Sequence, residues 1–281
     1  MNYMKKFAKF SQIQKFNVTY CPDKNPHGSI LCIEEPQILV RFAGYLKTRK
    51  PISKVFMRGQ KENHGNMIPS LFRNCKSNDI ITLKKRYKAY NYLIDKLKES
   101  EKPRFNRENV GAILQHYGIK TPWLDFIDNI YTAIWFATME PSEEEPLKYV
   151  PRENGKSGYI YFIRIKEKDP NLKYCELREI HSSLSLRLHA QHGISIRRRV
   201  KTLTNRDLQE FVVATVKFTI NDSWRLNGQL FDTKFMFPSK EYDSTYNYFK
   251  TDDFTKLIGS VKKKFHLSED DLGKIYDYDP V

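Results

Sequence analysis

Three short runs in this chain set polar, chemistry-bearing residues inside apolar frames. They are Phe56-Met57-Arg58-Gly59-Gln60, the stretch from Gln115-His116-Tyr117-Gly118 through Thr121 to Asp125, and Ala190-Gln191-His192-Gly193. In the first, Arg58 can fork a phosphate or a carboxylate with paired hydrogen bonds. Gln60 adds an amide, and Gly59 permits positive φ and the close approach of a ligand. The same arginine can instead be buried in a salt bridge to an acid such as Asp125. In the second run His116 can act as a general acid or base, or as a positioning donor. Tyr117 can stack on a ring or hold a ribose hydroxyl. Asp125, between Trp123-Leu124 and Phe126-Ile127, needs a partner in such apolar surroundings. Here a reactive site and a structural polar knot that pins a helix end are equally good readings. In the third, Gln191 can donate and accept hydrogen bonds without carrying charge, and Gly193 again allows close approach.

Other chemistries find no support. His189 and His192 are three residues apart, but no third ligand is spaced to join them, so ordinary polar roles are expected and no metal. There is no Gly-x-Ser-x-Gly elbow and no recognisable pair of glycosidase carboxylates. No Gly-rich dinucleotide turn and no Lys-bearing phosphate loop follows a strand.

The elements that must carry these residues follow from periodicity. Residues 34–48 read as a helix with Ile38, Leu39, Phe42, Ala43 and Leu46 on one face. Lys54 to Met57 is a short strand closed by Gly59. Residues 79–100 form a long basic helix with Tyr87, Tyr90, Leu93, Ile94 and Leu97 as its apolar stripe, and 107–116 and 128–138 are two further helices. Gly118 fits the position just past the helix that ends at His116. Gly158 to Ile165 and Phe211 to Ile220 alternate as strands, Ile194 to Val200 is a short basic strand, and residues 243–277 return to helix. Residues 1–29 carry little pattern. The expected class is α+β, with a helical first half packed on a mixed, mostly antiparallel sheet.

Composition bounds the partners. The 281 residues carry a net charge of +15, which attracts polyanions such as nucleic acid, nucleotide phosphates or an acidic protein. The lysine runs at Lys84-Lys85 and Lys262 to Lys264 fit a solvated face, whereas Arg197-Arg198-Arg199 beside the third run suits nucleic-acid contacts. No apolar run nears the roughly 18 residues of a membrane helix, and the first 16 residues lack a secretory pattern. Cys21, Cys32, Cys75 and Cys175 are scattered, so neither a disulfide framework nor a zinc site is expected, and a reducing cytoplasm is the default.

The three runs, together with Ile68-Pro69-Ser70-Leu71-Phe72-Arg73, Ala133, Phe136-Ala137 and Phe237-Pro238, resemble in order the motifs of the bacterial FRG domain. The resemblance covers about residues 33 to 251, giving an extension at 1–32, an FRG domain at 33–251 and a C-terminal helical extension at 252–281. The chain departs from the pattern where Met57 separates Phe56 from Arg58, where Pro122 follows Thr121, at Phe126-Ile127 and at Ser195. The FRG domain is in turn distantly similar to the ADP-ribosyltransferase fold. That likeness implies an NAD-consuming transferase or glycohydrolase, a bacterial toxin or antiviral defence effector with an antitoxin or defence-system partner and no membrane. Arg58, Gly59 and Gln60 would hold NAD phosphate or ribose. Tyr117, Thr121 and Asp125 would line the nicotinamide pocket, Gln191 would bind the ribose 2′-hydroxyl, and His116 would serve as base. RNA or DNA would suit the basic surface as acceptor. A non-catalytic nucleic-acid-binding module and a sensor with a purely structural knot are the competing readings.

Overall fold

The computed structural model describes residues 3–13, 17–25, 28–48, 53–75, 79–99, 109–143, 148–166, 168–180, 185–199, 207–226 and 231–276. In chain order the elements are α1 (Tyr3–Ile13), β1 (Val18–Asn25), β2 (Gly28–Ile33), α2 (Pro36–Thr48), β3 (Ser53–Gln60), α3 (Ile80–Glu99), α4 (Val110–His116), β4 (Leu124–Ile127), α5 (Ile130–Thr138), β5 (Met139–Pro141), β6 (Tyr149–Pro151) and β7 (Ser157–Lys166). They continue as β8 (Leu172–Glu176), α6 (Leu177–Ile180), α7 (Leu186–Ala190), β9 (Gly193–Arg198), β10 (Val212–Thr219), α8 (Thr233–Met236), α9 (Ser244–Phe249), α10 (Asp252–Lys264) and α11 (Glu269–Leu272). The class is α+β. The chain divides into two compact units: residues 1–66, 126–169 and 208–231 form the first, and residues 67–125, 170–207 and 232–281 the second.

Unit one is built on a mixed sheet ordered β1-β2-β10-β7-β3, with Met57 of β3 paired to Ile127 of β4. Only β2 and β10 run parallel; the other pairings are antiparallel. Helix α2 buries Ile38, Leu39, Phe42, Ala43 and Leu46, the stripe that its spacing predicts. Those side chains join Val55, Met57, Ala133, Ile134, Ala137, Phe162 and Val216 in one core. The weakly patterned N-terminus belongs to this core: Phe7, Val18, Leu31 and Ile33 are buried in it. Strands therefore lie in the first half of the chain as well as the second. Periodicity missed β1 because its run VTYCPDKN is mostly polar.

Two expectations need correction. Cys21 and Cys32 form a disulfide between the antiparallel strands β1 and β2, with their Cα atoms 5.5 Å apart. The hairpin brings together cysteines that sequence spacing leaves scattered, so cysteine usage no longer argues for a reducing compartment. Strand β3 does not close at Gly59 but continues through it to Gln60. Gly59 has no positive φ, and a Cβ there would stand 1.9 Å from the carbonyl oxygen of Ala133 in α5. The glycine admits a helix, not a ligand. Among the described residues, no helix is long and apolar enough to cross a membrane.

Unit two is mainly helical. Helix α3 buries Leu83, Arg86, Ala89, Tyr90, Leu93, Ile94 and Leu97, and packs on α10 and α11. Arg86 ties three segments: its guanidinium meets Asp271 at 2.6 Å and donates to the carbonyls of Leu71 (3.4 Å) and Arg73 (2.9 Å). Strands β8 and β9 pair antiparallel beside the helices.

The steric account of Gly59 has a direct check. Gly59→Ala should cost about 3 kcal/mol or more in urea unfolding, because a backbone carbonyl cannot step aside. Gly259→Ala, in exposed helix with nothing within 4 Å of the new methyl, should add about 1 kcal/mol. Equal stability for the two variants would contradict the reading of Gly59.

Candidate functional site

Helix α4 ends in a Schellman motif. Ile119 N donates to the Leu114 carbonyl (3.1 Å) and Gly118 N to the Gln115 carbonyl (3.3 Å), with Gly118 at φ 108°. This stop throws residues 118–121 across the helix end, where the C-terminal segment clamps them. Lys120 N donates to the Leu272 carbonyl (2.7 Å), and Tyr276 N donates to that of Tyr117 (3.1 Å). Ile119 and Gly273 make a β-bridge.

Behind the loop lies a compact polar network. The Gln115 side-chain oxygen accepts from Ser70 Oγ and from Thr121 Oγ1, each at 2.9 Å. Thr121 Oγ1 accepts from Trp123 N (3.1 Å), Thr121 N donates to Ser70 Oγ (3.3 Å), and Leu71 N donates to the Thr121 carbonyl (3.3 Å). In front of it opens a pocket of about 300 Å³ lined by Ser70, Arg73, Gln115, Gly118, Lys120 and Lys274, with Tyr276 at its edge. Among the described residues, three cationic side chains and no acid line this pocket. Arg73 Nε donates to the Ile68 carbonyl (2.8 Å), and the guanidinium lies within electrostatic reach of Asp125 and Tyr276.

Asp125 is the carboxylate of this region, with 27 % of its side chain exposed. Its Oδ1 accepts from Ser195 Oγ at 3.0 Å and lies 3.3 Å from Nε2 of the buried His116. Ser195 is itself fully buried on β9. A Cβ at Gly193 would come within 2.9 Å of the His116 ring, so this glycine makes room for the imidazole. The close approach expected at Gly193 is thus one between side chains of the protein.

Tyr117 and Gln191 have inward settings. Tyr117 is fully buried, its hydroxyl donates to Asp243 Oδ2 at 2.8 Å, and its ring lies 5.5 Å from the Arg187 guanidinium. Burial, reinforced by the Asp243 charge, raises its phenol well above the ordinary tyrosine value. Asp243 also accepts from the backbone N–H groups of Arg187 and Tyr246, each at 2.9 Å. Gln191, 3 % exposed, caps α7 and donates Nε2 to the Met236 carbonyl at 2.7 Å. Asp243, Ser195, Lys120 and Lys274 are participants that sequence reasoning missed. Asp243 lies 126 residues from Tyr117, and no local pattern marks it.

Arg58, Gly59 and Gln60 lie in unit one. Arg58 and Gln60 project from the face of β3 opposite Met57 and Gly59. Arg58 stands across from Tyr161, whose phenol is pushed up to about 12, chiefly by burial. The arginine triplet splits. Arg198 is buried, with Nε donating to the Asp207 carbonyl (2.8 Å), while Arg197 and Arg199 face a separate cavity. The expected nucleic-acid contact at Arg198 is corrected accordingly: its hydrogen-bonding edge points inward.

Asp243→Ala strips three buried donors of their acceptor and should cost about 3 kcal/mol or more, whereas Tyr117→Phe should cost about 1 kcal/mol. Thermal melts of the two variants check this. If Asp243→Ala melts like wild type, the knot does not hold α7 to α9.

Of three comparisons with known proteins, one finds a match. No curated protein and no solved structure matches the chain. The FRG-domain family model matches residues 53–146, which takes in Arg58, Ser70, Arg73, Gln115 and Asp125 but stops short of Gln191 and Arg197. The stretch from β3 through α5, with the polar network at its centre, is therefore an FRG domain region.

Proposed function

We propose that unit two holds an NAD-consuming site, an ADP-ribosyltransferase or NAD glycohydrolase. The observation that carries this reading is the meeting of the Ser70–Arg73 and Gln115–Lys120 motifs on one cation-lined pocket. Guanidinium and ammonium groups suit a pyrophosphate, and oriented hydroxyl and amide groups suit ribose. Breaking the nicotinamide–ribose bond leaves its electron pair on nicotinamide and an oxocarbenium-like carbon on the ribose. Preorganised negative charge beside that carbon lowers the barrier. Asp125, steadied by Ser195 and near His116, does not line the pocket but lies within electrostatic reach of Arg73 on its wall, and has that character. Water or an acceptor then attacks the same carbon and releases a proton, which the Asp125–His116 pair accepts. Gln191 has its amide N–H on Met236, so ribose positioning passes to Asp125. Loss of NAD arrests growth, which fits a toxin or defence effector, and the +15 charge favours nucleic acid as acceptor.

The test is nicotinamide release, and label transfer from labelled NAD, by the full chain alone and with RNA, DNA or lysate. Wild type should consume NAD in at least one condition. Asp125→Asn should lower kcat by about 100-fold. Lys120→Ala should raise KM several-fold at unchanged kcat. No NAD loss and no label transfer in all four conditions would overturn the reading.

A further inference from the structure

A further cavity of unit two is absorbed by none of the chemistry above. Its volume is about 540 Å³, and its walls carry Lys98 of α3, Lys173 of β8, Arg197 of β9 and Arg199 just beyond that strand, with Tyr90 and Asn91 beside them. Among the described residues, its lining holds no acid. Lys98 pairs with Asp95 at 3.1 Å, but that is a surface contact between neighbours on one helix and holds the ammonium weakly.

The sheet register makes this clustering unusual. Lys173 and Arg197 are direct partners across the β8–β9 ladder, so their side chains rise on the same face. Arg199 follows two residues later. Like charges placed directly opposite one another destabilise a sheet. A bound anion turns that repulsion into attraction.

The rest of the cavity is built to hold these groups. The Arg197 guanidinium lies 5.1 Å from the Trp123 ring centroid, and its buried Nε has no hydrogen-bond partner. The Trp123 indole N–H bonds to the Tyr90 phenol, whose titration is raised to about 12, chiefly by burial. Tyr90 therefore stays a protonated donor at neutral pH. Gly111 makes this arrangement possible: a Cβ there would stand 1.9 Å from the Tyr90 hydroxyl.

We infer that this cavity binds an oligophosphate, a chain of linked phosphates carried by a nucleoside triphosphate or by the 5′-triphosphate end of an RNA. Cationic side chains from α3, β8, β9 and the residue just past β9 are spread around a cavity of this size, which suits a chain of linked phosphates better than one phosphate. A duplex backbone needs an open stripe, and the inward Arg198 interrupts the triplet that would form one. The volume lies within the range of small-ligand sites. The inference stands apart from the NAD reading, since the two pockets share no lining residue.

The test uses the full chain and measures binding of inorganic triphosphate, ATP, and one RNA oligonucleotide with either a 5′-triphosphate or a 5′-hydroxyl end. Inorganic triphosphate should bind and compete with ATP or with the triphosphate RNA, and the tighter of those two names the source. Lys98→Glu/Lys173→Glu should weaken triphosphate at least about tenfold. Lys240→Glu/Lys250→Glu, with the same charge change elsewhere, should not. Arg197→Lys keeps the charge and serves where the double variant fails to fold; it should weaken binding less. The inference is overturned by three results: no triphosphate binding at low salt, equal loss in both double variants, or equal affinity for the two RNA ends without competition by triphosphate.

Discussion

The side-chain oxygen of Gln115 is the point on which the motif region turns. It accepts from Ser70 and Thr121 at once, and so joins a short turn, a helix end and the loop into β4. A buried acceptor that serves two hydroxyls cannot be lost cheaply, because both donors are then stranded. Everything in front of it inherits that rigidity: the Arg73 and Lys120 cations and the edge of the strand that bears Asp125. The C-terminal segment adds the lid of the same frame, since Leu272 and Tyr276 bond to the backbone of the loop. The motif residues are therefore conformationally linked before any ligand arrives.

That arrangement divides the network into an inner and an outer part. Thr121 and His116 are buried and serve the fold, whereas Arg73, Lys120 and part of Asp125 reach solvent. The inner members fix geometry and the outer members carry charge. Ser195 illustrates the division. It lies beyond the matched FRG region, and it supplies a hydrogen bond to Asp125 from a fully buried position. Met57, a departure from the family pattern, sits in the core of unit one.

Local patterns were legible in the sequence, and distant pairings were not. The α2 stripe and the glycine after α4 could be read because a helix repeats every 3.6 residues and a Schellman turn needs positive φ. His116 and Asp125 stand out in the sequence as polar residues in apolar frames, but Ser195, which holds Asp125, comes from a segment 70 residues away. Tyr117 finds Asp243 far along the chain, Gln191 finds Met236, and Cys21 finds Cys32 only through a hairpin with no clear alternation. The glycines were misread for one physical reason. Sequence shows that a Cβ is absent but not what fills its place: Ala133 at Gly59 and His116 at Gly193.

The central claim is that the FRG motifs build a pocket for an NAD-derived ligand in unit two. A crystal structure of the full chain with ADP-ribose tests it most directly. The account predicts the pyrophosphate against Arg73, Lys120 and Lys274, with the ribose turned toward Asp125. Ordered ADP-ribose anywhere else, with that pocket empty, would contradict it.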